Sequence, residues 1–194
     1  MDTLIFATNN QHKVNEVRQV LGNLFKIVTL KEAGIDIDIP EPHNTLEANA
    51  TEKSTTIFNL TGKNCFSEDT GLEVAALNGE PGVRSARYAG NTSSPQLNIK
   101  KLLQTLAGIP NRQARFRTII SLIINREEML FEGICDGEIT AEESGTSGFG
   151  YDPVFIPAGS HITFGEMTLA EKSTFSHRKK AMDKLISFLA NQST

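Results

Sequence analysis

The sequence contains no apolar run of the roughly 18–20 residues that a membrane-spanning helix needs. Its first residues, Met1-Asp2-Thr3 and a short apolar stretch, lack the cationic and long apolar segments of a signal peptide. Only two cysteines are present, Cys65 and Cys135, at a spacing that does not suit a metal site. These absences predict a cytoplasmic protein with no membrane partner, in which both cysteines are buried free thiols.

The chain also has fewer basic than acidic residues. The chain has 19 lysines and arginines against 23 aspartates and glutamates, a formal net charge of −4. Because binding to a nucleic-acid backbone needs a basic field, nucleic acid is not an expected partner, whereas a small anion in a local pocket is compatible with this charge. The motifs GxxxxGK(S/T) and GxGxxG are both absent, and the first absence excludes a P-loop NTPase.

No internal repeat, low-complexity tract or linker interrupts the chain, so we expect one continuous domain over residues 1–194. The apolar residues 4–7 and the polar Thr8 are typical of a buried strand. Asn9 and Asn10 are typical of a helix N-cap, and residues 25–30 of a second strand. Strand, helix, strand is the opening of an α/β fold.

Later segments extend this pattern. Ser94-Pro95 predicts the start of a helix, and Asn125-Arg126-Glu127 predicts the turn of an antiparallel hairpin. The other predicted elements are a helix at 45–60, a short strand at 64–66 that ends in an acidic turn at 67–71, hairpin strands at 114–124 and 129–139, and a helix from 176. Together they predict the α/β class, with a mixed β-sheet flanked by helices.

The first turn of the last predicted helix has an unusual charge. Ser176-His177-Arg178-Lys179-Lys180 places up to four cations at the positive end of the helix dipole, where each one costs about 0.3–1 kcal/mol. Lys172 lies just upstream. Either this is a solvated basic patch, or an anion binds there to backbone N–H groups and the flanking cations.

The first predicted helix has a related arrangement. Asn10 caps it, and Lys13 stands in its first turn directly after a strand, as in many folds that hold phosphate. Taken alone, this segment favours an ordinary cap with a surface lysine.

Carboxylates dominate the acidic turn. Glu68 and Asp69 follow a short apolar strand, and Glu41 precedes them in an acidic, proline-rich loop. Hard oxygen ligands suit Mg²⁺ better than zinc, and a carboxylate beside such an ion can orient or deprotonate a water. The alternative is that Glu68 and Asp69 only cap the next segment. Asp69-Thr70-Gly71 is also the triplet of aspartic proteases, which would require a symmetric dimer of a mostly β protein.

A glycine-rich segment, Ser147 to Pro153, surrounds Phe149. Glycines on both sides of the ring allow a ligand to approach closely, and stacking on a nucleobase is worth about 1–3 kcal/mol. The more common use of such a segment is a turn with an aromatic side chain tucked into the core.

Six segments taken together resemble the inosine triphosphate pyrophosphatase family, also described as Ham1-like or RdgB-like pyrophosphatases of non-canonical purine nucleoside triphosphates. They occur in the family's order along nearly the whole chain. Each motif alone is weak, whereas six in order are specific. The segments are Thr8-Asn9-Asn10-Gln11-His12-Lys13, Asn49-Ala50 with Lys53, Ser67-Glu68-Asp69-Thr70-Gly71-Leu72, Pro81-Gly82-Val83-Arg84-Ser85-Ala86-Arg87-Tyr88, Phe149-Gly150-Tyr151-Asp152-Pro153 and Ser176-His177-Arg178.

The resemblance implies an elongated mixed β-sheet flanked by helices, with two lobes and a central cleft, in a homodimer. It implies hydrolysis of ITP, dITP and XTP to the monophosphate and pyrophosphate, which removes deaminated purines from the nucleotide pool, with Mg²⁺ as cofactor. Asp69 would be the proton acceptor and a magnesium ligand, and Glu41 the second carboxylate. Whether Glu68 is also a ligand stays open.

The same resemblance assigns substrate contacts. A 6-oxo purine would accept hydrogen bonds from His177 or Arg178, and the 6-amino group of adenine would leave such a donor unpaired, at a cost of about 1–3 kcal/mol. By role, the residues are Lys13, Lys53, Arg87 and Lys172 for the triphosphate, Phe149 for stacking, Asp152, His177 and Arg178 for the base, and Thr8, Asn9, Asn10, Gln11, His12, Thr70, Gly150 and Tyr151 as further contacts.

Two other classes of function stay open at this point. A nucleotide sensor would bind the same ligands without releasing pyrophosphate. A dimeric aspartic protease would have a mostly β far-ultraviolet spectrum and would be inhibited by peptide-like mimics of the transition state.

Overall fold

The computed structural model describes residues 3–21, 24–90 and 94–192. Within these ranges the chain forms seven β-strands and five α-helices. The strands are β1 (Thr3–Phe6), β2 (Lys26–Thr29), β3 (Cys65–Val74), β4 (Pro81–Gly82), β5 (Gln113–Ile124), β6 (Glu127–Ile139) and β7 (Phe155–Pro157). The helices are α1 (Gln11–Leu21), α2 (Leu46–Thr61), α3 (Pro95–Thr105), α4 (Leu169–Phe175) and α5 (His177–Gln192).

The described strands form one sheet in the order β2-β1-β3-β5-β6-β7, with β4 paired to β3. Strand β1 runs parallel to β2 and β3, whereas the β3–β4 and β6–β7 pairs are antiparallel, which confirms the predicted mixed sheet. The chain divides into two compact units, in agreement with the two predicted lobes. Unit 1 contains the described residues up to Asp69, Thr118–Gly133 and those from Arg178 on, and unit 2 contains Thr70–Arg117 and Ile134–His177. The central cleft stays a prediction.

Unit 1 is built around β1, which is buried on both faces. Side chains alternate along a strand, so Leu4 and Phe6 face one layer and Ile5 and Ala7 face the other. The first pair packs with Phe66 and with the buried stripes of α1 and α5, and the second pair packs with α2. A parallel strand covered on both faces reads as a continuous apolar run, which is why it could be predicted.

Unit 2 has an aromatic core. The ring of Phe116 lies 4.7 Å from that of Phe155, which lies 5.3 Å from Phe164. Leu72 of β3 and Leu102 of α3 are fully buried in the same cluster. Burying each such side chain is worth about 1.5–3 kcal/mol, so this cluster holds unit 2 together.

The predicted helix ends are largely confirmed. The Thr45 hydroxyl accepts a hydrogen bond from the Ala48 N–H at 3.2 Å at the start of α2, and Gly62, with φ 66°, ends that helix in the left-handed conformation. The Ser94 hydroxyl accepts from the Leu97 N–H at 3.4 Å, with a proline in the first turn of α3.

The predicted hairpin is also present. Asn125 and Arg126 separate β5 from β6 and have φ values of 53° and 71°. Two consecutive residues with positive φ are typical of the turn that fits the right-handed twist of two paired strands. The β6 strand begins at Glu127, two residues before the predicted start.

The prediction of an acidic turn at 67–71 is wrong. Strand β3 continues through these residues to Val74, so Glu68 and Asp69 lie inside a ten-residue strand. A Cβ added to Gly71 would lie 2.7 Å from the carbonyl oxygen of Gly82 in β4. Gly71 therefore marks the close approach of a second strand and not a chain reversal.

The C-terminal region differs from the prediction in one helix. Helix α4 was not predicted; it begins with a capping box between Thr168 and Glu171. Ser176 ends α4, so α5 begins at His177, one residue later than predicted. Helix α5 has an apolar stripe, since Ala181, Met182, Leu185 and Leu189 are all buried.

No helix in the described ranges is long and apolar enough to cross a membrane. Cys65 and Cys135 are buried thiols, as expected. The aspartic protease hypothesis is wrong because it requires a mostly β protein, and five helices accompany the sheet here.

Candidate active site

The segment from Thr8 to Lys13 leads from β1 into α1. The Asn10 carboxamide oxygen accepts hydrogen bonds from the backbone N–H groups of His12 and Lys13 at 3.0 and 3.3 Å, which confirms the predicted cap. The Thr8 hydroxyl accepts from the Asn10 N–H at 3.1 Å. Asn9 donates to the Ile37 carbonyl at 3.5 Å. This network fixes the start of the helix that carries Lys13.

Glu68 lies at the centre of a buried ion cluster in unit 1. Its Oε2 accepts a hydrogen bond from Arg178 Nε at 2.6 Å, and its Oε1 accepts from Arg178 Nη2 at 2.9 Å. Lys13 Nζ lies 3.0 Å from the same Oε1. Burial alone would raise the pKa of this carboxyl, but Arg178 and Lys13 hold the pKa well below its ordinary value. Glu68 is therefore an ionised residue whose two oxygens are bound by protein cations.

Arg178 explains much of the unusual charge in the first turn of α5. Its guanidinium binds Glu68 in a bidentate manner, and its Nη1 donates to Glu16 of α1. Burial would lower the pKa of this guanidinium, but the two carboxylates raise it. Lys179, in the same turn, pairs with Asp183 at 2.6 Å. Carboxylates of the chain itself therefore pair with Arg178 and Lys179. The sequence had suggested a bound anion or solvent as the partner of these cations.

A second cluster in unit 1 joins Glu41, Lys53 and Asp69. Lys53 Nζ, on α2, donates to Glu41 Oε1 at 2.5 Å and lies 3.6 Å from Asp69 Oδ1. Burial raises the pKa of Asp69, Lys53 opposes that rise, and Glu41 adds to it. A carboxylate with a raised pKa beside a lysine is suited to accept a proton near neutral pH.

Glu68 and Asp69 are neighbours in β3 but face opposite sides of the strand. Glu68 contacts residues of α1 and α5, whereas Asp69 contacts Lys53 of α2. Ser67 confirms the alternation, since its hydroxyl donates to the Ala50 carbonyl of α2 at 2.5 Å, on the side of Asp69. The two adjacent acids therefore belong to two different clusters.

In unit 2, the glycine-rich segment is fixed by Asp152. The Oδ2 atom of Asp152 accepts from the Phe149 N–H at 2.7 Å and from Lys172 Nζ at 2.7 Å. A Cβ added to Gly148, which has φ 76°, would lie 2.0 Å from that oxygen. Lys172 Nζ also lies 4.9 Å above the Phe149 ring and 5.4 Å from the ring of Phe164. Lys172, predicted for the triphosphate, is thus paired with residues that were predicted for the base.

The remaining predicted residues of unit 2 have distinct environments. His177 is buried and stacks on the Phe116 ring at 4.8 Å. The buried Tyr151 hydroxyl donates to the Ser85 carbonyl at 2.8 Å, and burial raises its pKa. Arg87 lies exposed in a short 3-10 turn. Gly150 has φ 63°, and Thr70 is partly exposed next to Asp69 in β3.

The sequence profile described as the Ham1 family matches residues 4–188. The chain belongs to the Ham1 family. It is 48% identical over 190 residues to the dITP/XTP pyrophosphatase of Porphyromonas gingivalis, covering 97% of this chain and 98% of that protein. It is 46% identical over 188 residues to the dITP/XTP pyrophosphatase of Flavobacterium psychrophilum, covering 97% and 99%.

Solved Ham1 structures agree with this assignment. The Staphylococcus aureus Ham1 protein has a TM-score of 0.89 at 36% identity and covers 98% of this chain and 100% of that one. A HAM1 protein from Coxiella burnetii has a TM-score of 0.90 at 34% identity, with the same coverage. The family resemblance that the six motifs predicted is confirmed.

Sequence reasoning assigned no role to two residues of these clusters, although Asn49 stands in one of the six motifs. Glu16 binds Arg178, and Asn49 binds the loop that carries Glu41. Nothing in the sequence distinguishes Glu16 from an ordinary surface glutamate of a helix. Asn49 had a signal, because a carboxamide one helical turn before Lys53 lies on the same helix face.

The Glu41–Asp69 pair can be tested as a site for a divalent ion. Within residues 3–21, 24–90 and 94–192, no group of three or more His, Cys, Asp or Glu side chains has an arrangement that would hold a metal ion. Magnesium, however, is usually bound by only one or two carboxylates together with substrate phosphates. Two carboxylates from separate segments meet at the Lys53 ammonium, and Glu41 raises the pKa of Asp69. This donor set fits Mg²⁺.

Proposed function

We propose that this Ham1-family chain hydrolyses the non-canonical purine nucleoside triphosphates ITP, dITP and XTP to the monophosphate and pyrophosphate. Relatives that cover nearly the whole chain are named dITP/XTP pyrophosphatases. The observation that carries the proposal is the meeting of Glu41, Lys53 and Asp69 in unit 1. This cluster combines a proton acceptor, a cation for phosphate oxygens and a second carboxylate.

The triphosphate of the substrate has about four negative charges, which need cations and N–H donors. Lys53 and Lys13 supply the charge in unit 1, and the capped segment from Thr8 to Lys13 supplies polar groups at the start of α1. Arg87, which is exposed in unit 2, stays a predicted contact of the triphosphate. Asn9, Gln11, His12 and Thr70 are further contacts.

Asp69 acts as the general base. A water loses a proton to the Asp69 carboxylate while its oxygen forms a bond to the α-phosphorus. The bond between that phosphorus and the oxygen that bridges to the β-phosphorus breaks, and pyrophosphate leaves with the electron pair. Asp69 then releases its proton to solvent. The raised pKa of Asp69 favours this role, because a stronger base takes a larger share of the proton in the transition state.

Glu41 and Asp69 would hold Mg²⁺ as the cofactor. The bound ion supplies positive charge for the phosphate oxygens and for the pyrophosphate leaving group. Lys53 contacts both carboxylates through its ammonium and opposes the rise in the pKa of Asp69. Glu68 is not a ligand in this proposal, since Arg178 and Lys13 bind its oxygens.

The cluster in unit 2 binds the base. Phe149 provides the stacking surface, and Gly150 leaves room beside it. Lys172 and His177 supply donors for a 6-oxo group, while Asp152 orients the Lys172 ammonium. Arg178 stays a predicted contact of the base; within unit 1 its guanidinium is bound to Glu68. Tyr151 supports the segment through its bond to Ser85.

The test is pyrophosphate release from ITP, dITP, XTP, ATP and GTP, each with and without Mg²⁺. We expect release from the first three only, and only with the ion. Binding of ITP without any release would favour the sensor, and efficient release from ATP and GTP would contradict the proposed substrate class.

We further propose that the chain acts as one domain, in a cytoplasmic homodimer, with no nucleic-acid partner. The acidic composition supports the absence of a nucleic-acid partner, and the buried free thiols support the cytoplasmic location. Light scattering coupled to size exclusion at micromolar concentration tests the dimer, and a monomer across that range would contradict it.

A further inference from the structure

We propose that Asn49 is a positioning residue for the hydrolysis, because its side-chain amide holds the segment that carries Glu41 next to Asp69. This inference rests on the proposed function, in which Glu41 and Asp69 perform the chemistry. Asn49 lies in the first turn of α2 and is 1% exposed. A buried carboxamide needs partners for its donors and its acceptor, and the identity of those partners shows what it holds.

The first partner is the backbone of His43. The Asn49 Oδ1 atom accepts from the His43 N–H at 2.9 Å, and its Nδ2 atom donates to the His43 carbonyl at 3.2 Å. Two hydrogen bonds to one residue fix the backbone as a paired strand would. His43 follows Glu41 by two residues, so this clamp restricts where the Glu41 carboxylate can lie.

The second partner is Asp69. The Asn49 side chain interacts with the Asp69 carboxylate and lowers the pKa of that group. A carboxamide nitrogen has two N–H groups, so one can serve the His43 carbonyl while the other serves Asp69. One buried side chain thus connects the loop of Glu41 to the proposed base.

The position of Asn49 on the helix reinforces the arrangement. Lys53 lies four residues later, one helical turn away on the same face, and contacts both Glu41 and Asp69. Lys53 donates a hydrogen bond to Glu41 but attracts Asp69 only by charge at 3.6 Å, which does not fix the orientation of the Asp69 carboxylate. The directional hydrogen bonds of Asn49 supply the orientation, and small errors in orientation are costly for catalysis.

The experiment compares the full-length wild type with Asn49→Ala, Asn49→Asp and Thr45→Ala. Thr45→Ala is the matched control, because it removes the N-cap hydrogen bond of the same helix without touching the clamp. Turnover of ITP is measured at saturating Mg²⁺ to separate kcat from KM. Hydrogen exchange of the His43 amide is measured in metal-free protein without nucleotide, so the clamp has a readout independent of activity.

We expect Asn49→Ala to lower kcat by about 30-fold or more while KM for ITP changes by less than about threefold. The His43 amide should exchange faster in this variant, since its acceptor is gone. Asn49→Asp has nearly the same shape but lacks the Nδ2 donor and adds a negative charge, so its kcat should fall at least as far. Thr45→Ala should unfold at a lower temperature and keep kcat within about threefold of the wild type.

The inference is overturned if Asn49→Ala keeps kcat within threefold of the wild type, or if its His43 amide stays as protected as before. It is also overturned if Thr45→Ala loses as much kcat as Asn49→Ala does, because the effect would then be that of a weaker helix. A wild type that releases no pyrophosphate from ITP would refute the proposed function instead, and exchange at His43 would still decide whether the clamp exists.

Discussion

Lys53 of unit 1 and Lys172 of unit 2 are both buried lysines, with 7% and 4% of their surface exposed, but their surroundings differ. Lys53 meets two carboxylates from separate segments, at 2.5 and 3.6 Å. Lys172 meets one carboxylate at 2.7 Å and two aromatic rings at 4.9 and 5.4 Å. The contacts of Lys53 are with two carboxylates, whereas those of Lys172 are with one carboxylate and two aromatic rings.

This difference matches two kinds of ligand. An excess of carboxylates attracts a divalent ion and can accept a proton, and both are needed where an anhydride is hydrolysed. A neutral ion pair beside an aromatic ring suits a flat, uncharged purine, which gains from stacking and from a few directed hydrogen bonds. The comparison supports the proposed placement of the proton acceptor in unit 1 and of the stacking ring in unit 2.

The largest expected effect concerns the carboxylate of the first environment. Asp69→Asn should lower kcat by about 10²–10⁴-fold, because the amide cannot accept the proton of water. The melting temperature should not fall, since burial disfavours the charged form of Asp69 in the folded state. Glu73→Gln is the control: Glu73 lies on the same strand, pairs with Arg115 at 2.7 Å, and its loss should leave kcat unchanged. If Asp69→Asn had the same kcat as Glu73→Gln, Asp69 would not be the general base.

The next effect concerns stability. Glu68→Gln should destabilise the protein by about 3–5 kcal/mol at pH 7, because it leaves buried cations without their carboxylate. The pKa of Glu68 is lower in the folded state than its ordinary value of 4.5. Its stabilisation is therefore complete above pH 4.5 and is lost as the pH falls below that value. Urea unfolding between pH 7 and pH 3 measures this. The free energies of unfolding of the wild type and of Glu68→Gln should become more similar as the pH falls.

Glu32→Gln provides the comparison for Glu68. Glu32 also pairs with an arginine, Arg18, at 2.6 Å, but both side chains are well exposed to solvent. Exposed pairs contribute little because water screens them, so we expect no resolvable change in stability at pH 7. A loss equal to that of Glu68→Gln would show that burial is not the reason for the effect.

The second environment is tested through its ring. Phe149→Leu should raise KM for ITP by about 5- to 150-fold, equivalent to 1–3 kcal/mol of stacking, with a smaller change in kcat. Phe131→Leu is the control, since Phe131 is a partly buried ring that packs on Phe188 at 5.6 Å in unit 1. If the KM of Phe149→Leu for ITP is unchanged, the Phe149 ring does not stack on the base.

The finest test uses two glycines of the same segment. Gly148 and Gly150 both have positive φ, but a Cβ would meet Asp152 only at Gly148. Gly148→Ala should therefore destabilise the protein by about 1–3 kcal/mol more than Gly150→Ala, because the carboxylate must move. Thermal unfolding of the two variants measures this difference, and equal midpoints would contradict the contact.

Much of the fold could be predicted because its signals are local. Apolar periodicity marks α1 and α5, side-chain caps mark α2 and α3, and Asn125-Arg126 marks the hairpin turn. The acidic turn was wrong because a glycine after two acids is also typical of a strand that another strand approaches closely, as Gly82 approaches Gly71. Helix α4 was missed because only Lys172 is buried in its seven residues, so it has no apolar stripe.

The candidate site, like the fold, could be predicted only in part. The sequence predicted Asp69, Lys53 and Glu41, and the structure brings their side chains together. It could not predict that Arg178 binds Glu68, because 110 residues separate them and charge alone does not select partners. The pairing of Lys172 with Asp152, 20 residues apart, was hidden for the same reason.

The alternation of β3 has a consequence for how such a protein can change over generations. Side chains alternate between the two faces of a strand. The insertion or deletion of one residue just before Glu68 would therefore move both acids to the opposite faces of β3. Net charge would barely change, yet the glutamate would face the lysine of α2 and the aspartate would be neutralised beside α1 and α5. Under the proposed function, the order of these two acids in β3 therefore matters as much as their presence.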